Sequence, residues 1–243
     1  MKNNKYMQFI KTDDNNTDLY IYGDIRKPDL FERWLDCDDL ARTDALSFSE
    51  ALKEVDTPNL TVRINSYGGS VSEALAIYSL LNDCGLNVIT KVDGFACSAA
   101  SVIFMAGKER IVPESGLIMI HNAWSIAEGD SNALKKAAED LEIITSPSLE
   151  IYASKTKLSK EQLKDMMDKE TWINSTQAFE YGFATTLNKD DAAKQSIESN
   201  FVKKLVDKIQ MLENENYKLN KKIKENITEK SADPWQDFFK EEE

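Results

Sequence analysis

The sequence has few cysteines, no excess of positive charge and only one histidine, and the first two absences exclude whole classes of protein. The three cysteines, Cys37, Cys84 and Cys97, are odd in number and lack the paired spacing of zinc ligands. This argues against a disulfide framework and against a metal site. The net charge is −12, whereas nucleic acids and anionic membranes are bound through clustered Lys and Arg. We therefore expect no metal, no cofactor, no nucleic acid and no membrane partner.

Long apolar runs are also absent. The best candidate for a membrane span, residues 94–107, is too short and too rich in serine to cross a bilayer. The opening stretch, MKNNKYMQFIKTDD, lacks the unbroken apolar segment of a secretory signal. These features predict a cytoplasmic protein.

Apolar runs alternate with amphipathic runs through about the first three quarters of the chain. The strand-like LTVRIN is followed by the loop SYGG, residues 66–69, and then by a helical stretch that starts with Ser70 and Glu73 as a capping box and ends at Gly85. The order repeats with the strand NVITKVDG, the helix SAASVIFMAG and the strand GLIMIH. At 243 residues with 42% hydrophobic content, the pattern predicts one α/β domain of layered βαβ repeats.

A long helical stretch follows, from about Ser131 to Lys155. Pro147 lies inside it, and a proline removes one helical hydrogen bond and clashes with the preceding turn. We therefore expect two helical segments there. A further capping box, formed by Ser159 and Gln162, begins the next helix, and the globular part is predicted to end near Asn188.

The tail follows a different pattern, with side chains spaced alternately three and four residues apart. These are Val202, Leu205, Ile209, Leu212, Asn216, Leu219, Ile223 and Asn226. Such heptad spacing predicts a coiled coil in which a buried Asn216 fixes the register, and the alternative is an amphipathic helix lying on its own domain. The domains are thus residues 1–190, a helical coiled-coil extension over residues 191–230, and an acidic aromatic tail over residues 231–243.

The lone histidine, His121, ends the apolar strand GLIMIH, and the ends of strands are where α/β folds place site residues. If an imidazole activates a serine in this chain, it must be His121. Ser98 lies where a strand meets an apolar helix, and Ser101 is one turn further on, where it should pack. Small residues around Ser98 would also suit tight helix packing, and the motif G-x-S-x-G is absent. The Gly68 and Gly69 pair suits either an oxyanion hole or a phosphate nest.

Four segments together resemble the Clp-type (caseinolytic) serine protease family over residues 19–187: RINSYGGSVSEALAIYSLL, GFACSAASVIFMAG, GLIMIHNAW and ETWINSTQAFEYGFA. The resemblance implies a ClpP/crotonase-like fold with a Ser-His-acid triad. It assigns Ser98 as the nucleophile, His121 as the base and Glu170 as the acid, with Asp168 as the alternative acid. It also assigns the backbone amides of Gly69 and Ala99 to the oxyanion hole, supported by Gly68, and leaves Cys97 as a small core residue.

The chain departs from the family pattern at four places. Tyr67 replaces the proline of the glycine loop, Ala99 stands where methionine is common, and Glu170 stands where housekeeping members have aspartate. Pro147 falls in the region that resembles the handle helix joining two rings, which leaves double-ring assembly open. None of these departures removes the serine or the histidine of the triad.

The phage branch of the family resembles the chain in its ETW motif, its LYIYGDI opening and its helical extension. That branch implies a serine endopeptidase that cleaves scaffold and capsid proteins, and itself, within an assembling prohead in the host cytoplasm. It also implies a homo-oligomer that forms a heptamer-like ring. Three alternatives stay open. They are the proteolytic subunit of an ATP-dependent complex, whose ATPase partner would need an apolar docking pocket; a non-catalytic scaffold or assembly protein; and a crotonase-type acyl-CoA enzyme.

Overall fold

The computed structural model describes residues 7–29, residue 32 and residues 42–188. The chain divides into two units, residues 1–193 and residues 194–243. The predicted coiled coil over residues 191–230, the acidic tail over residues 231–243 and Cys37 all lie outside the described residues. The predictions made for them therefore stay predictions.

The described residues form short strands and helices in the alternating order expected from the sequence. The strands are β1 (Met7–Lys11), β2 (Asn16–Tyr22), β3 (Asp24–Ile25), β4 (Arg42–Thr43), β5 (Asn59–Ser66), β6 (Asn87–Cys97), β7 (Glu109–Pro113), β8 (Leu117–Ile120), β9 (Thr171–Asn174) and β10 (Thr186–Asn188). The helices are α1 (Ala45–Leu52), α2 (Val71–Asp83), α3 (Ala99–Phe104), α4 (Ser131–Lys155), α5 (Lys160–Asp168) and α6 (Ser175–Tyr181). No helix in these ranges is both long and apolar enough to cross a bilayer.

Crossover helices make the main sheet largely parallel. Its strand order is β1-β2-β5-β6-β7-β10, with β2, β5, β6, β7 and β10 paired in parallel. Strand β6 forks, because its first half pairs with β7 and its last residues, Phe95 to Cys97, pair with β8. Strand β8 then pairs antiparallel with β9. The fork places the ends of β6 and β8 and the start of β9 side by side.

The core lies between this sheet and helices α2 and α3. Strand β5 alternates as a strand with one buried face should, with Leu60, Val62 and Ile64 fully buried. Helix α2 contributes the buried side chains of Ile77 and Leu81 to the same hydrophobic core. Helix α3 is buried along its whole length, which explains why its first residues are small. The fold class predicted from the sequence is confirmed for the described residues, and the coiled-coil part of that prediction lies outside them.

The expectation that Pro147 divides the long helix is wrong. Helix α4 runs for 25 residues through the proline, although the residue still lacks the amide that would bond to Ile143 O. The second half of the helix is held by the core, since Ser148 and Tyr152 are buried. Tertiary packing of a helix face stabilises it more than one lost hydrogen bond destabilises it. The break in this helix, on which the open question of double-ring assembly rested, is therefore not present.

The two capping predictions had different outcomes. At α5 both halves of the box are formed, because the Ser159 side chain accepts from the Gln162 amide and the Gln162 side chain accepts from the Ser159 amide. At α2 only the Ser70 half exists. The carboxylate of Glu73 instead accepts a 2.8 Å hydrogen bond from the amide of Ala45 at the start of α1. The sequence pattern could not show this competing donor, which lies 28 residues away.

Candidate active site

Ser98 occupies the sharp junction between β6 and α3, in a backbone conformation that side chains rarely adopt. Its φ is 52° and its ψ is −124°. Its amide donates to Met119 O at 2.8 Å, so the neighbouring strand anchors the turn. Among the described residues, the non-glycine residues with positive φ are Ser98 and Glu170. Such strain costs of order 1 to 3 kcal/mol and clusters at functional sites.

His121 lies directly against this serine. Strand β8 pairs Met119 with Cys97 on β6, so the residues that follow the two strand ends are neighbours. The His121 Nε2 is 2.7 Å from Ser98 Oγ. Burial lowers the pKa of His121 below its ordinary value, and the charge of Glu170 raises it in part. The imidazole is therefore neutral near pH 7 and able to accept a proton.

Glu170 lies on the other side of the imidazole. Its Oε2 is 3.7 Å from His121 Nδ1, which is an ion-pair distance rather than a hydrogen bond. It follows the end of α5 and precedes β9, whose Thr171 pairs with Ile120. Asp168, the alternative acid, instead accepts a 2.7 Å hydrogen bond from Asn122 Nδ2. Of the two candidate acids, Glu170 therefore lies beside the His121 imidazole, whereas Asp168 binds the side chain of Asn122, the residue after the histidine.

The glycine loop lies against the serine on its backbone side. Gly68 has φ of +99°, and a Cβ there would lie 2.6 Å from Cys97 O and 2.9 Å from Ser98 Cβ. Gly69 has φ of +143°, and a Cβ there would lie 2.3 Å from Ile25 O. Only glycine fits such conformations and contacts. Gly68 is thus required for the loop to approach Ser98 this closely, and Gly69 for its approach to Ile25.

Two backbone amides near Ser98 remain available for a ligand. The Gly68 amide donates to Ser66 Oγ at 3.0 Å, which leaves Gly68 in a supporting role. Within the described part of the chain, the amides of Gly69 and Ala99 donate to no other group. These are the amides that the resemblance to the Clp-type family assigns to an oxyanion hole, where free donors stabilise a developing negative charge.

The neighbouring serine and cysteine are buried. Ser101 is fully buried, and its hydroxyl donates to Ser98 O at 2.6 Å and lies 2.7 Å from Tyr152 OH. Burial raises the pKa of the Cys97 thiol to about 12, so it carries no thiolate near neutral pH. Both residues lie in the core as expected. The contact between Ser101 and Tyr152 could not be read from the sequence, because the two residues lie 51 positions apart.

A pocket opens beside the Ser98 and His121 side chains. It is lined by Val71, Ala99, Val102, Ala123, Thr145, Ser148 and Tyr152 in addition to these two residues. The lining is apolar apart from the imidazole and the hydroxyls of Ser98, Thr145, Ser148 and Tyr152. Tyr67, the departure from the family loop, packs edge to face on Phe95 with ring centroids 5.3 Å apart, and Phe95 packs on Trp172 at 5.8 Å. Aromatic packing thus holds the loop where the family has proline.

These groups have the arrangement needed for nucleophilic acyl transfer. A hydroxyl contacts a neutral imidazole, and a carboxylate faces the far imidazole nitrogen. The amide of the residue after the serine and an amide of the adjacent glycine loop donate to no other described group. Among the described residues there is no group of three or more His, Cys, Asp or Glu side chains that could hold a metal ion.

Comparison with known proteins identifies similar sequences and folds. The Clp protease family profile matches residues 43–191. The chain is 31% identical over 127 residues to the ATP-dependent Clp protease proteolytic subunit of Porphyromonas gingivalis, covering 51% of this chain and 57% of that protein. It is 32% identical over 126 residues to proteolytic subunit 3 of Rhodococcus jostii, covering 51% of this chain and 62% of that protein.

A solved structure of a ClpP1 mutant from Listeria monocytogenes has a similar fold. The TM-score is 0.56 at 21% sequence identity, and the match covers 70% of this chain and 91% of that one. At this identity the likeness concerns the fold alone. The two curated relatives are matched over less than two thirds of their own length.

Proposed function

Because the chain belongs to the Clp protease family, we propose that it is a serine endopeptidase. Ser98 is the nucleophile, His121 the general base and Glu170 the acid that orients the imidazole. The observation that carries the proposal is the 2.7 Å contact between Ser98 Oγ and His121 Nε2. A crotonase-type enzyme or a non-catalytic scaffold would need no such contact.

The reaction follows from the positions of these groups. Ser98 Oγ attacks the carbonyl carbon of a peptide bond while its proton passes to His121 Nε2, and the amides of Gly69 and Ala99 bind the resulting oxyanion. His121 then gives the proton to the leaving amine, which leaves an ester on Ser98. A water molecule, deprotonated by His121, then attacks the ester carbonyl, and the imidazolium returns that proton to Ser98 Oγ as the acid product leaves. Glu170 stabilises the imidazolium that forms in each half of the reaction.

Turnover of a fluorogenic peptide and of an unfolded protein tests the proposal. We expect Ser98→Ala and His121→Ala to lose at least about a thousandfold in kcat, because removal of a triad member typically costs that much. Ser79→Ala is the matched control, since Ser79 lies on α2 and, within the described ranges, its hydroxyl bonds to Leu75 O alone, at 3.0 Å. Equal activity in all four proteins would contradict the proposal. Loss of activity in the control alone would also contradict it.

The names of the curated relatives favour an ATP-dependent degradation complex as the setting of this activity. Both are called proteolytic subunits of an ATP-dependent Clp protease. We therefore propose that the chain serves as such a subunit, with protein substrates and an ATPase partner. In this setting it would act in the cytoplasm.

Phage prohead maturation is the second candidate setting, and the heptad-spaced tail favours it. The heptad pattern from Val202 to Asn226, outside the described residues, suits attachment to a scaffold. Cleavage of scaffold and capsid proteins, and of the chain itself, would then be its role.

Self-association into a heptamer-like ring is part of the proposal in either setting. The segment before and within the first half of α4 exposes several large apolar side chains, namely Trp124, Ile126, Leu134, Ile143 and Ile144. Ile126 is 90% exposed. Exposed apolar patches of this kind mark protein interfaces, and a protruding helix of this length offers such a patch to a second copy.

One experiment separates the two settings. The full-length protein is incubated with an unfolded protein, with and without ATP and a bacterial Clp-type unfoldase, and in parallel with purified phage scaffold and capsid proteins. Degradation that requires ATP and the unfoldase supports the first setting. Limited cleavage of scaffold or capsid proteins without ATP supports the second. A protein that cleaves short peptides but shows neither ATP-dependent degradation nor cleavage of scaffold or capsid proteins would contradict both settings. The endopeptidase proposal would still stand.

A further inference from the structure

We propose that Tyr152 and Ser101 are positioning residues that orient the Ala99 amide of the oxyanion hole through the Ser98 carbonyl. This inference rests on the proposed function, because it concerns how one donor of that site is aimed. Neither residue contacts the reacting atoms in the scheme above. Their effect passes through the peptide group that joins Ser98 to Ala99.

The hydroxyls form a chain whose direction is fixed by counting hydrogens. Ser101 has a single hydroxyl hydrogen, which it donates to Ser98 O at 2.6 Å. The contact of 2.7 Å between Ser101 Oγ and Tyr152 OH must therefore have tyrosine as the donor. Burial raises the pKa of Tyr152, so the phenol keeps its proton over the working pH range. The order is Tyr152 to Ser101 to the Ser98 carbonyl.

The Ser98 carbonyl and the Ala99 amide belong to the same planar peptide group. Because that group is rigid, the direction of the carbonyl sets the direction of the amide, and the two point opposite ways. A hydrogen bond that holds Ser98 O therefore aims the Ala99 N–H. The amide of Ser101 also donates to Ser98 O, at 2.9 Å, so the side-chain bond is the second restraint on one oxygen.

A second restraint matters here because the peptide group follows a strained residue. Ser98 has φ of 52°, and such conformations persist only where the surroundings over-determine them. The Ser98 amide is anchored by Met119 O, and the carbonyl end is anchored by the hydroxyl chain. Tyr152 comes from α4 and also lines the pocket beside Ser98. The two hydrogen bonds thus link the Ser98–Ala99 peptide group to the wall of that pocket.

Ser101→Ala, Tyr152→Phe and the double variant test this role, with Thr90→Val as the control. Thr90 also donates a buried hydroxyl to a backbone carbonyl of α3, Phe104 O at 2.7 Å, but at the end of the helix away from Ser98. Measured quantities are kcat and KM for the fluorogenic peptide, the Tm, and the affinity for a peptide boronate that mimics the tetrahedral intermediate. The full-length protein is used throughout.

We expect kcat to fall about tenfold in Ser101→Ala and severalfold in Tyr152→Phe. These losses are smaller than the hundredfold or more that removing an oxyanion donor costs, because the Ala99 amide is still present but less well oriented. KM should stay within about twofold, and boronate affinity should fall with kcat, because the interaction is made only in the transition state. The kcat of the double variant should match that of Ser101→Ala, since both changes break the same series of hydrogen bonds. Thr90→Val should lower the Tm with no change in kcat.

The outcomes separate this inference from the proposed function. If the unmodified protein shows no turnover, the proposed function fails and this inference fails with it. If it is active but Ser101→Ala and Tyr152→Phe keep the kcat and boronate affinity of Thr90→Val, only the positioning role is overturned. If the losses in kcat of the two single variants multiply in the double variant, the two hydroxyls do not act through one series of hydrogen bonds. Should Ser101→Ala fail to fold, Tyr152→Phe, which keeps the aromatic ring, still decides the matter.

Discussion

Replacing Glu170 by glutamine removes the negative charge beside His121 while keeping the length of the side chain. In the proposed reaction this charge stabilises the imidazolium formed when Ser98 attacks. The matched control is Asp168→Asn, because Asp168 lies two residues away and accepts from Asn122, and an asparagine oxygen can accept the same bond. The pair of variants therefore separates the acid of the triad from a neighbouring carboxylate.

The distance in the structure sets the size of the effect. Two unit charges at the 3.7 Å between Glu170 Oε2 and His121 Nδ1 interact by about 1.1 kcal/mol in water and about 4.5 kcal/mol at an effective dielectric constant of 20. The Glu170 side chain is 57% exposed and that of His121 is 16% exposed, so the true value lies between these limits. A loss of about 1.4 to 2.7 kcal/mol corresponds to a fall in kcat of about ten- to a hundredfold.

The pH dependence gives an independent check on the same interaction. Burial lowers the pKa of His121 and the charge of Glu170 raises it, so removing that charge lowers the pKa further. The base is active only when deprotonated, and kcat/KM rises as pH passes this pKa. The acid limb of the profile should therefore move to lower pH in Glu170→Gln and stay in place in Asp168→Asn.

Kinetics of peptide hydrolysis between pH 5 and 9 would measure both effects. We expect Asp168→Asn to change kcat by less than about twofold, as surface substitutions usually do. A large loss in Asp168→Asn with an unchanged Glu170→Gln would show that the wrong carboxylate was assigned. A limb that moves to higher pH in Glu170→Gln would refute the electrostatic reasoning itself.

Three further predictions concern the loop, the exposed helix and the tail. Gly68→Ala should abolish peptide hydrolysis, because its Cβ would lie 2.6 Å from Cys97 O. Gly85→Ala is the control, since its Cβ would meet nothing within 4 Å. An active Gly68→Ala would contradict the close approach of the glycine loop to Cys97 and Ser98. Ile143→Asp should shift the protein to smaller species in sedimentation, whereas Ser146→Asp on the same helix should not; unchanged assembly would show that this face is not an interface. Leu212→Asp should weaken self-association or scaffold binding while sparing peptide hydrolysis, and Asn214→Asp, outside the heptad positions, should do neither; equal behaviour of the two would remove the coiled-coil prediction.

The sequence pattern narrowed the choice of site residues, and the resemblance to the Clp-type family completed the assignment of Ser98 and His121. Ser98 and His121 each follow an apolar strand, and the lone histidine left one choice of base. The Gly68 and Gly69 pair was equally readable, since adjacent glycines between a strand and a capped helix imply a backbone that other residues cannot adopt. Local pattern therefore placed these residues at strand ends and in a glycine loop, whereas their catalytic roles rested on the resemblance and stay predictions.

Features that depend on long-range packing could not be read from the sequence. Pro147 was expected to divide a helix, but burial of the helix's second half keeps it continuous. The partner of Glu73 and the bond between Ser101 and Tyr152 join elements far apart in the chain. The choice between Asp168 and Glu170 depended on the left-handed conformation of Glu170 after α5, with φ of 49°. Sequence spacing alone does not specify such a conformation for glutamate.

Labelling by a fluorophosphonate probe, followed by peptide mass mapping, tests the central claim most directly. The probe reports a serine hydroxyl activated by a base and needs no knowledge of the natural substrate. We expect one adduct on full-length protein, at Ser98, and none in Ser98→Ala or His121→Ala, with the Tm of both variants close to that of the unmodified protein. An adduct at another serine, an undiminished adduct in His121→Ala, or an unlabelled native protein would contradict the account.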